Sequence, residues 1–429
     1  MKTIVVRLSV DVEGKTLGEL EAELMGQLRQ ALGPAVQTEL ARVSSEVSPG
    51  MCSTCAGPRR GRGWEQRCIV GLFGAVHVRR QRAECAGCGV TAYPADHVLG
   101  LEAQERYSLG VSEAALWLAT DGSYAKSAAS MKQLLDVSIS ANQIHRLAQK
   151  EGELVQHAWE GLRRRVFEAG DRETLRQLEA GAAVKDLVVV QADGTFVHNR
   201  ATGEKMEAKA GIVYSRKARV SRGRVLITDK RTYAGVEEGA AFGEKLVLLA
   251  AQQGAFKAKR LWFVSDGALD LRRLRRQHFP NAVYFLDLWH LHHRISDALG
   301  LEGAGHVGGL LTLAVQGNVD ALIAALAEHW ATNTADEEQH RLLGDLITYV
   351  DANREGIENY ARHGPQGSGA IEKTIDVAVG RRLKAKGTSW FRPGAHRLLS
   401  LRILKHNRTW NRYWAARRCR TSLLAAMAA

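Results

Sequence analysis

The sequence predicts a multidomain α/β protein on three observations. Two Cys-x-x-Cys pairs near the N-terminus mark a metal-stapled module. A run of apolar β-patterned segments carrying isolated carboxylates marks a sheet. Helical periodicity fills the stretches before, between and after them. At 429 residues the chain exceeds one small core, so several domains are expected. Its 45% apolar and 24% charged residues exclude a disordered or fibrous chain. Lys and Arg outnumber Asp and Glu by 59 to 46, a net charge of +13 that attracts polyanions, nucleic acid first among them. Acidic lipids or ribosomal partners fit the same surplus.

The opening MKTIVVRLSVDVEG has neither the apolar core nor the cleavage site of a secretory signal. The nearest approach to a membrane span, Gly309 to Leu326, is interrupted by Gln316, Asn318 and Asp320 and reads as a core helix. A cytoplasmic, nucleoid-associated protein with no membrane partner is therefore expected. Six cysteines, four of them in close pairs, suit metal binding in a reducing compartment better than a disulfide framework.

Along the chain, residues 1–48 are expected to hold a short strand at 3–12, where polar and apolar residues alternate, and a helix over 16–43 broken at Gly33-Pro34. Residues 49–95 form the cysteine module. Cys52-x-x-Cys55 and Cys85-x-x-Cys88 each place two thiolates on one tight turn, and four thiolates suit one structural, tetrahedral Zn²⁺. The segment between them reads strand, Gly-containing turn, strand, the plan of a zinc ribbon. Four free thiols or a redox pair is the other reading. A catalytic zinc is disfavoured, because a site closed by four thiolates leaves no open position for water. Arg79, Arg80 and Arg82 either touch phosphates or line a solvated strand face. Cys68 and Cys419 have no partner of this kind.

Residues 96–155 are Ala/Leu/Ser-rich and helical. Within them GSYAKSAASMKQLLDVSISANQIHRLAQK carries two helical patterns around a short turn, a helix-turn-helix or a purely structural hairpin. Ala125, Ala128 and Leu134 are expected on one inner face, Val137 in the turn, and Ser138 or Ser140 as the cap of the second helix. Ile144, Leu147 and Ala148 then face inward. Asn142, Gln143, His145, Arg146 and Gln149 face outward, and of these Asn142, Gln143 and Arg146 are the candidate DNA-reading residues. A charged helical connector, 156–183, follows.

Residues 184–290 are strand-rich. DLVVVQADGTFVHN holds Asp193 in the middle of an apolar β-run, where a carboxylate is costly without a purpose. Strands are expected at 205–216 and 223–231, then a strand in KRLWFVSDGALD that ends at Asp266-Gly267, a helix, and a fifth strand in AVYFLDLWH. Hairpin strands followed by strand-helix-strand is the order of a ribonuclease H-like sheet, with acids in the first strand, at the end of the fourth, and on a helix after the fifth. Glu372 in GSGAIEKTIDVAVGRR fills the third place if 291–364 is a helical insertion. Taken singly, Asp266 reads as a turn residue and Glu372 as a helix-surface residue; the ordered set carries the weight. Carboxylates suit this chemistry because two Mg²⁺ ions, about 3.5–4 Å apart, require hard oxygen ligands with positions left for water and phosphate.

QADGTF, VSDGALD, FLDLWHLHHR and GSGAIEKTID, in that order, resemble the DDE transposases of bacterial insertion sequences, and within them the Mutator-like branch and its ISKra family. The cysteine module, the helix-turn-helix and the terminal RRLKAKGTSWFRPGAHRLLSLR are similar to that group as well. The resemblance implies a catalytic triad of Asp193, Asp266 and Glu372 holding two Mg²⁺ or Mn²⁺ ions. It implies that Asp287 and His290 form the branch's D-x-x-H motif beside the metals. Residues 365–429 hold the last core helix and a basic tail, in which Arg381, Arg382, Lys384, Lys386 and Arg392 are expected on DNA, with Trp390, Trp410, Tyr413 and Trp414 among them. Related enzymes carry a basic residue about two helical turns past the acid; Arg381 and Arg382 lie slightly further on. The function so implied is binding of terminal inverted repeats, cleavage of the ends and joining of the 3′-hydroxyls to target DNA. At least a dimer acts on the duplex. A silent zinc/helix-turn-helix regulator and a ribonuclease H-like nuclease without strand transfer are the rival expectations.

Overall fold

The computed structural model describes residues 4–222, 224–301, 303–332 and 337–423. The chain is a mixed α/β protein of two compact units. One covers residues up to Leu147 together with Arg417–Arg420; the other runs from Ala148 to Ala416.

The first unit starts without the expected strand: residues 4–12 pair with nothing and stay irregular. Helix α1 (Leu17–Glu46) opens on a capping box, the Glu19 carboxylate accepting from the Thr16 amide at 2.8 Å. It does not break at Gly33-Pro34. Proline removes one backbone donor, but tertiary contacts hold the helix: Gln37 accepts from the His77 amide at 2.9 Å and the Ser44 hydroxyl donates to the Arg79 carbonyl at 2.6 Å. Those partners lie on β2 (Gly74–Cys85), which pairs antiparallel with β1 (Arg59–Gly71) and with β3 (Thr91–Ala92).

Four helices follow: α2 (Pro94–Val98), α3 (Leu109–Ala119), α4 (Tyr124–Leu135) and α5 (Ala141–Arg163). Ser123 caps α4, and Ser140 caps α5 by accepting from the Gln143 amide at 3.2 Å. Val137 is buried in the turn, and Ile144, Leu147 and Ala148 face inward as expected. The inner face of α4 differs from the expectation. Ser127 and Met131 are buried, whereas Ala125 is exposed and Leu134 is 66% exposed.

In the second unit α5 continues into a π-helical turn at Arg164–Glu168 and then α6 (Arg172–Ala180). The sheet comprises β4 (Leu187–His198), β5 (Lys205–Ser221), β6 (Arg224–Gly235), β7 (Arg260–Ser265) and β8 (Val283–Leu286), in the order β6-β5-β4-β7-β8. β4, β5 and β6 are antiparallel neighbours, while β7 and β8 run parallel to β4. Helix α7 (Gly239–Gln252) joins β6 to β7 and α8 (Leu269–His278) joins β7 to β8. The parallel crossovers need helices of this kind.

The stretch after β8 is helical, as expected: α9 (Leu288–Leu299), α10 (Val307–Val315), α11 (Val319–Thr332), α12 (Glu337–Ala352) and α13 (Arg354–His363). The single helix expected over Gly309–Leu326 is two, parted by a turn at Gln316–Asn318. The chain then returns to the sheet through α14 (Gly369–Ile375), a π-helical turn, α15 (Arg381–Leu383), α16 (Arg392–His406) and α17 (Trp410–Cys419). Leu291, Ile295, Leu310, Leu322, Leu343, Leu346, Ile357 and Ile371 share one apolar core with Val264, Phe285 and Leu286 of the sheet. No described helix is long and apolar enough to cross a membrane.

Candidate functional site

Strand register gathers the acids. Gln191 of β4 lies opposite Val264 of β7, and Ser265 of β7 lies opposite Leu286 of β8. Two steps past that first pair come Asp193 and Asp266; one step past the second come Asp266 and Asp287. The carboxylates therefore stand on neighbouring strands just past the point where the parallel pairing of β4, β7 and β8 stops, the side on which ligands sit in such sheets. Asp193 and Asp266 are half-buried, and Asp287 is fully buried.

Glu372 arrives from α14, and two buried side chains fix that helix. Gln191 accepts from the Ile371 amide at 3.0 Å and donates to the Gly367 carbonyl at 3.0 Å. Asp287 accepts from the Ser368 amide at 2.7 Å and from the Trp289 amide at 2.6 Å. The Ser368 hydroxyl in turn donates to Glu372 at 2.7 Å. The loop after β7 is held from the helical insertion. The Tyr349 hydroxyl donates to the Asp266 carbonyl at 2.7 Å, and Arg272 bridges the Gly267 carbonyl at 3.1 Å and the Ala352 carbonyl at 2.7 Å. Gly267 has φ +80°, and a Cβ there would lie 2.7 Å from the Asn353 side chain. Only glycine fits this turn.

The electrostatics are those of crowded anions. Burial, with the charges of Asp266 and Glu372, raises Asp193 from the ordinary carboxylate range to about 6. Burial works against the charge of Asp287, yet His290, Ser368 and Trp289 outweigh it and hold that carboxyl below its usual value. His290 is raised by Asp287, whose oxygen lies 3.4 Å from its Nδ1, a charge contact more than a directed hydrogen bond. Asp287, His290 and Glu372 bring one ligand atom each within 4.8 Å of one another. Asp193 and Asp266 stand outside that tightest group, although their charges act on it. Asp287, expected as an auxiliary, is the hub: its oxygens are committed to amide donors, which makes it a positioning residue more than a free ligand.

Sequence pattern does not point to Gln191. Its partners lie 176 and 180 residues away, so no local pattern reveals them; a buried amide within an apolar strand is the one signal.

Among the expected DNA contacts, Asn142 and Arg146 are exposed and Gln143 half-exposed on α5. His145 is exposed as expected and packs edge-on against Tyr124, while Gln149 is half-buried. Arg381, Lys384, Lys386 and Arg392 are exposed; Arg381 pairs with Asp376 at 3.2 Å, and Lys384 donates to the Thr195 hydroxyl, two residues past Asp193. Arg382 corrects the expectation. It is 5% exposed with its guanidinium 4.9 Å from the Trp390 ring, so it is a packing residue and out of reach of a duplex. Trp410, Tyr413 and Trp414 are likewise core. Helices that follow a sheet must bury one face, and charge patterning alone hides which. Arg80 is also structural, paired with Asp96 and lying 3.7 Å from the Tyr93 ring centroid; Arg79 and Arg82 are exposed.

In the first unit, Cys52, Cys55, Cys85 and Cys88 converge with all four sulfurs within 4.8 Å of one another. The Cys52–Cys88 and Cys55–Cys85 sulfur separations are 3.7 and 3.4 Å, and none is in a disulfide. A Zn–S length of about 2.3 Å sets a tetrahedral edge of roughly 3.8 Å, so the four sulfurs fit one zinc ion. Amides of Thr54 and Gly87 donate to Cys52 and Cys85 at 3.4 Å each, and hydrogen bonding led by Thr54 lowers Cys52 to about 6. The thiolate, the ligating form, is thus favoured at Cys52 and at Cys85, while the neighbouring cysteine sulfurs and burial push Cys88 up to about 12.

Fold and site together define a class: a mixed α/β protein with a carboxylate cluster at parallel strand ends and a separate four-cysteine cluster. The model of an uncharacterised protein family, UPF0236, matches residues 17–417, and the chain belongs to that family. A relative from Streptococcus gallolyticus, the UPF0236 protein in vanSb 3′region, is 25% identical over 205 residues, 47% of this chain. The chain spans 40% of that relative's length.

Proposed function

We propose that the protein is a DNA transposase with a ribonuclease H-like catalytic unit, of the Mutator-like DDE type that its motifs resemble. The observation that carries this reading is the convergence of Asp193, Asp266 and Glu372. Asp193 lies in mid-β4, Asp266 just past the end of neighbouring β7 and Glu372 on the helix that returns to them; burial, with the charges of the other two, raises Asp193 to about 6. A cluster of oxygen donors that repels itself is suited to divalent cations. These three residues would hold two Mg²⁺ or Mn²⁺ ions, which when bound activate the attacking oxygen and stabilise the leaving one.

The chain's own groups do the rest. Gln191 and Asp287 hold α14 so that Glu372 faces β4. Tyr349 and Arg272 hold the backbone at Asp266 and Gly267. His290, raised by Asp287, offers a positive charge beside the acids when protonated, and Lys384 offers a second next to β4, both suited to phosphate oxygens. In the first step water attacks phosphorus at the element's end and the 3′-oxygen leaves. In the second that 3′-hydroxyl attacks a target phosphodiester and the target's own 3′-oxygen leaves. The cysteine cluster, holding structural zinc as a zinc ribbon, and Asn142, Gln143 and Arg146 of α5 would bind the terminal repeats. A dimer or higher oligomer on DNA follows from the two ends to be cut, and a nucleoid location from the substrate.

The test is cleavage of a duplex bearing the element's end, in Mg²⁺ or Mn²⁺, by wild type and by Asp193→Ala, Asp266→Ala and Glu372→Ala. Cutting by wild type alone, with binding retained in all three variants, supports the proposal. Binding without cutting by wild type would leave a DNA-binding regulator, and cutting without strand transfer a nuclease.

A further inference from the structure

β5 is longer than the strand it leans on. Its pairing with β4 ends at Val189 opposite Tyr214, and from Ser215 onward its sheet neighbour is β6 alone. The two continue as a two-stranded ribbon with register shifts at Arg216 and between Arg219 and Ser221, which twist it away from the sheet plane. Between Ser215 and Arg231 the sequence holds seven Lys or Arg and one acid, Asp229. That acid is already engaged by Lys185 at 2.7 Å and by the Ser215 hydroxyl. Arg216, Lys217, Arg219 and Lys230 are exposed and form no ion pair among the described residues.

The turn after α16 adds more positive charge. Asn407 accepts from the Thr232 amide and donates to the Thr232 carbonyl, both at 2.8 Å, docking that turn on β6. It brings exposed Arg408 and Arg412 to the base of the ribbon, where they press on Lys230 and Arg231 as like charges. Like charges gathered in this way favour a polyanion. Near the ribbon's end Val220, Val225 and Leu226 are 50%, 54% and 41% exposed.

We propose that this ribbon, with Arg408 and Arg412, is a second duplex-DNA surface distinct from the carboxylate cluster. The proposal rests on the reading of the protein as a DNA-cutting enzyme for its partner, not for its geometry. A two-stranded ribbon fits the major groove, about 12 Å wide, and apolar side chains at a ribbon's end wedge between base steps in minor-groove binders. Ser221 lies eleven residues beyond Ala210, the partner of Asp193, a reach of at most roughly 36 Å along the strand and less where the register shifts. That is about one turn of B-form DNA. A duplex whose cut phosphate lies at Asp193 would meet the ribbon one helical turn away.

The experiment uses the full chain with Arg216→Gln, Arg219→Gln and Lys230→Gln together, exposed positions where glutamine keeps the strands. Binding of a 30-base-pair duplex is followed by fluorescence anisotropy over a salt series, with about 30 being three turns of the helix. Expected is weaker binding with a log–log salt slope reduced by about 2.7, near 0.9 for each phosphate that the variant no longer neutralises. Shortening the DNA on one side of the end to less than a turn should erase the difference between wild type and variant. An unchanged slope overturns the proposal. So does loss of binding to anionic phospholipid vesicles, or of self-association, with DNA affinity intact. Failure of wild type to cut DNA would sink the transposase reading while leaving the anisotropy result to stand by itself.

Discussion

Asp193 is the residue on which the site's chemistry is most exposed to measurement. Its folded value, about 6, lies above its ordinary 3.8, so the folded state holds a proton that the unfolded chain releases. The contribution of this group to stability is therefore present below pH 4 and is lost as pH rises from about 4 to 6. Asp193→Asn should raise the melting temperature of chelator-treated protein at pH 8, with the gain shrinking towards pH 4. Added Mn²⁺ should raise the melting temperature of wild type and not of the variant; differential scanning fluorimetry reads both. Gln191 makes a second prediction. Gln191→Leu leaves the Ile371 amide and the Gly367 carbonyl without their partner, at about 1–3 kcal/mol for each buried group. Melting should fall and Mn²⁺ affinity with it, because Glu372 loses its tether. Tyr214→Phe, which removes only a 3.3 Å contact to the same amide, should do much less.

Among the elements, the strands of the five-stranded sheet are legible in the sequence, whereas the strand expected at 3–12 does not form and α7 goes unread, for identifiable reasons. β4 announces itself by an apolar run with one carboxylate, and β7 by Leu-Trp-Phe-Val before Asp266. Helix α7 escapes sequence reading because Phe242 to Gln252 are nearly all buried, and a helix wrapped by core has no polar face to give it a period. The break expected at Pro34 fails because α1 is held by β2, a contact between segments about forty residues apart. The three acids are readable as an ordered set; the hydrogen bonds that aim them are not, since they join β4, β8 and the insertion across long separations. Two element-level predictions follow. At Gly152 a Cβ would lie 2.4 Å from the Arg397 carbonyl oxygen, so α5 and α16 cannot keep their spacing with alanine there. Gly152→Ala should cost about 1–3 kcal/mol in urea unfolding. Stripping metal from the cysteine cluster, or Cys85→Ser, should release amide protection through β1, β2 and β3 in hydrogen exchange while β4 to β8 keep theirs.

For the molecule as a whole, a net charge of +13 and exposed cations at Arg146, Lys384, Lys386, Arg392 and the β5–β6 ribbon are what the proposed binding of DNA would draw on. With 6–10 phosphate contacts, affinity for duplex should fall about 10³–10⁵-fold between roughly 50 and 200 mM salt, as a titration by anisotropy would show. Chain order adds a consequence of the Gln191 bridge. Asp193 and Glu372 are 179 residues apart in the sequence. A ribosome adding about 5–20 residues per second needs roughly 9–36 s to pass from one to the other. Throughout that interval the cysteine module and the α4–α5 pair are already made, but the last acid and the backbone groups that Gln191 grips do not exist. Synthesis itself is thus a delay line: a chain that stops before Gly369 carries the cysteine cluster and Asp193 but lacks Glu372 and the groups that Gln191 holds.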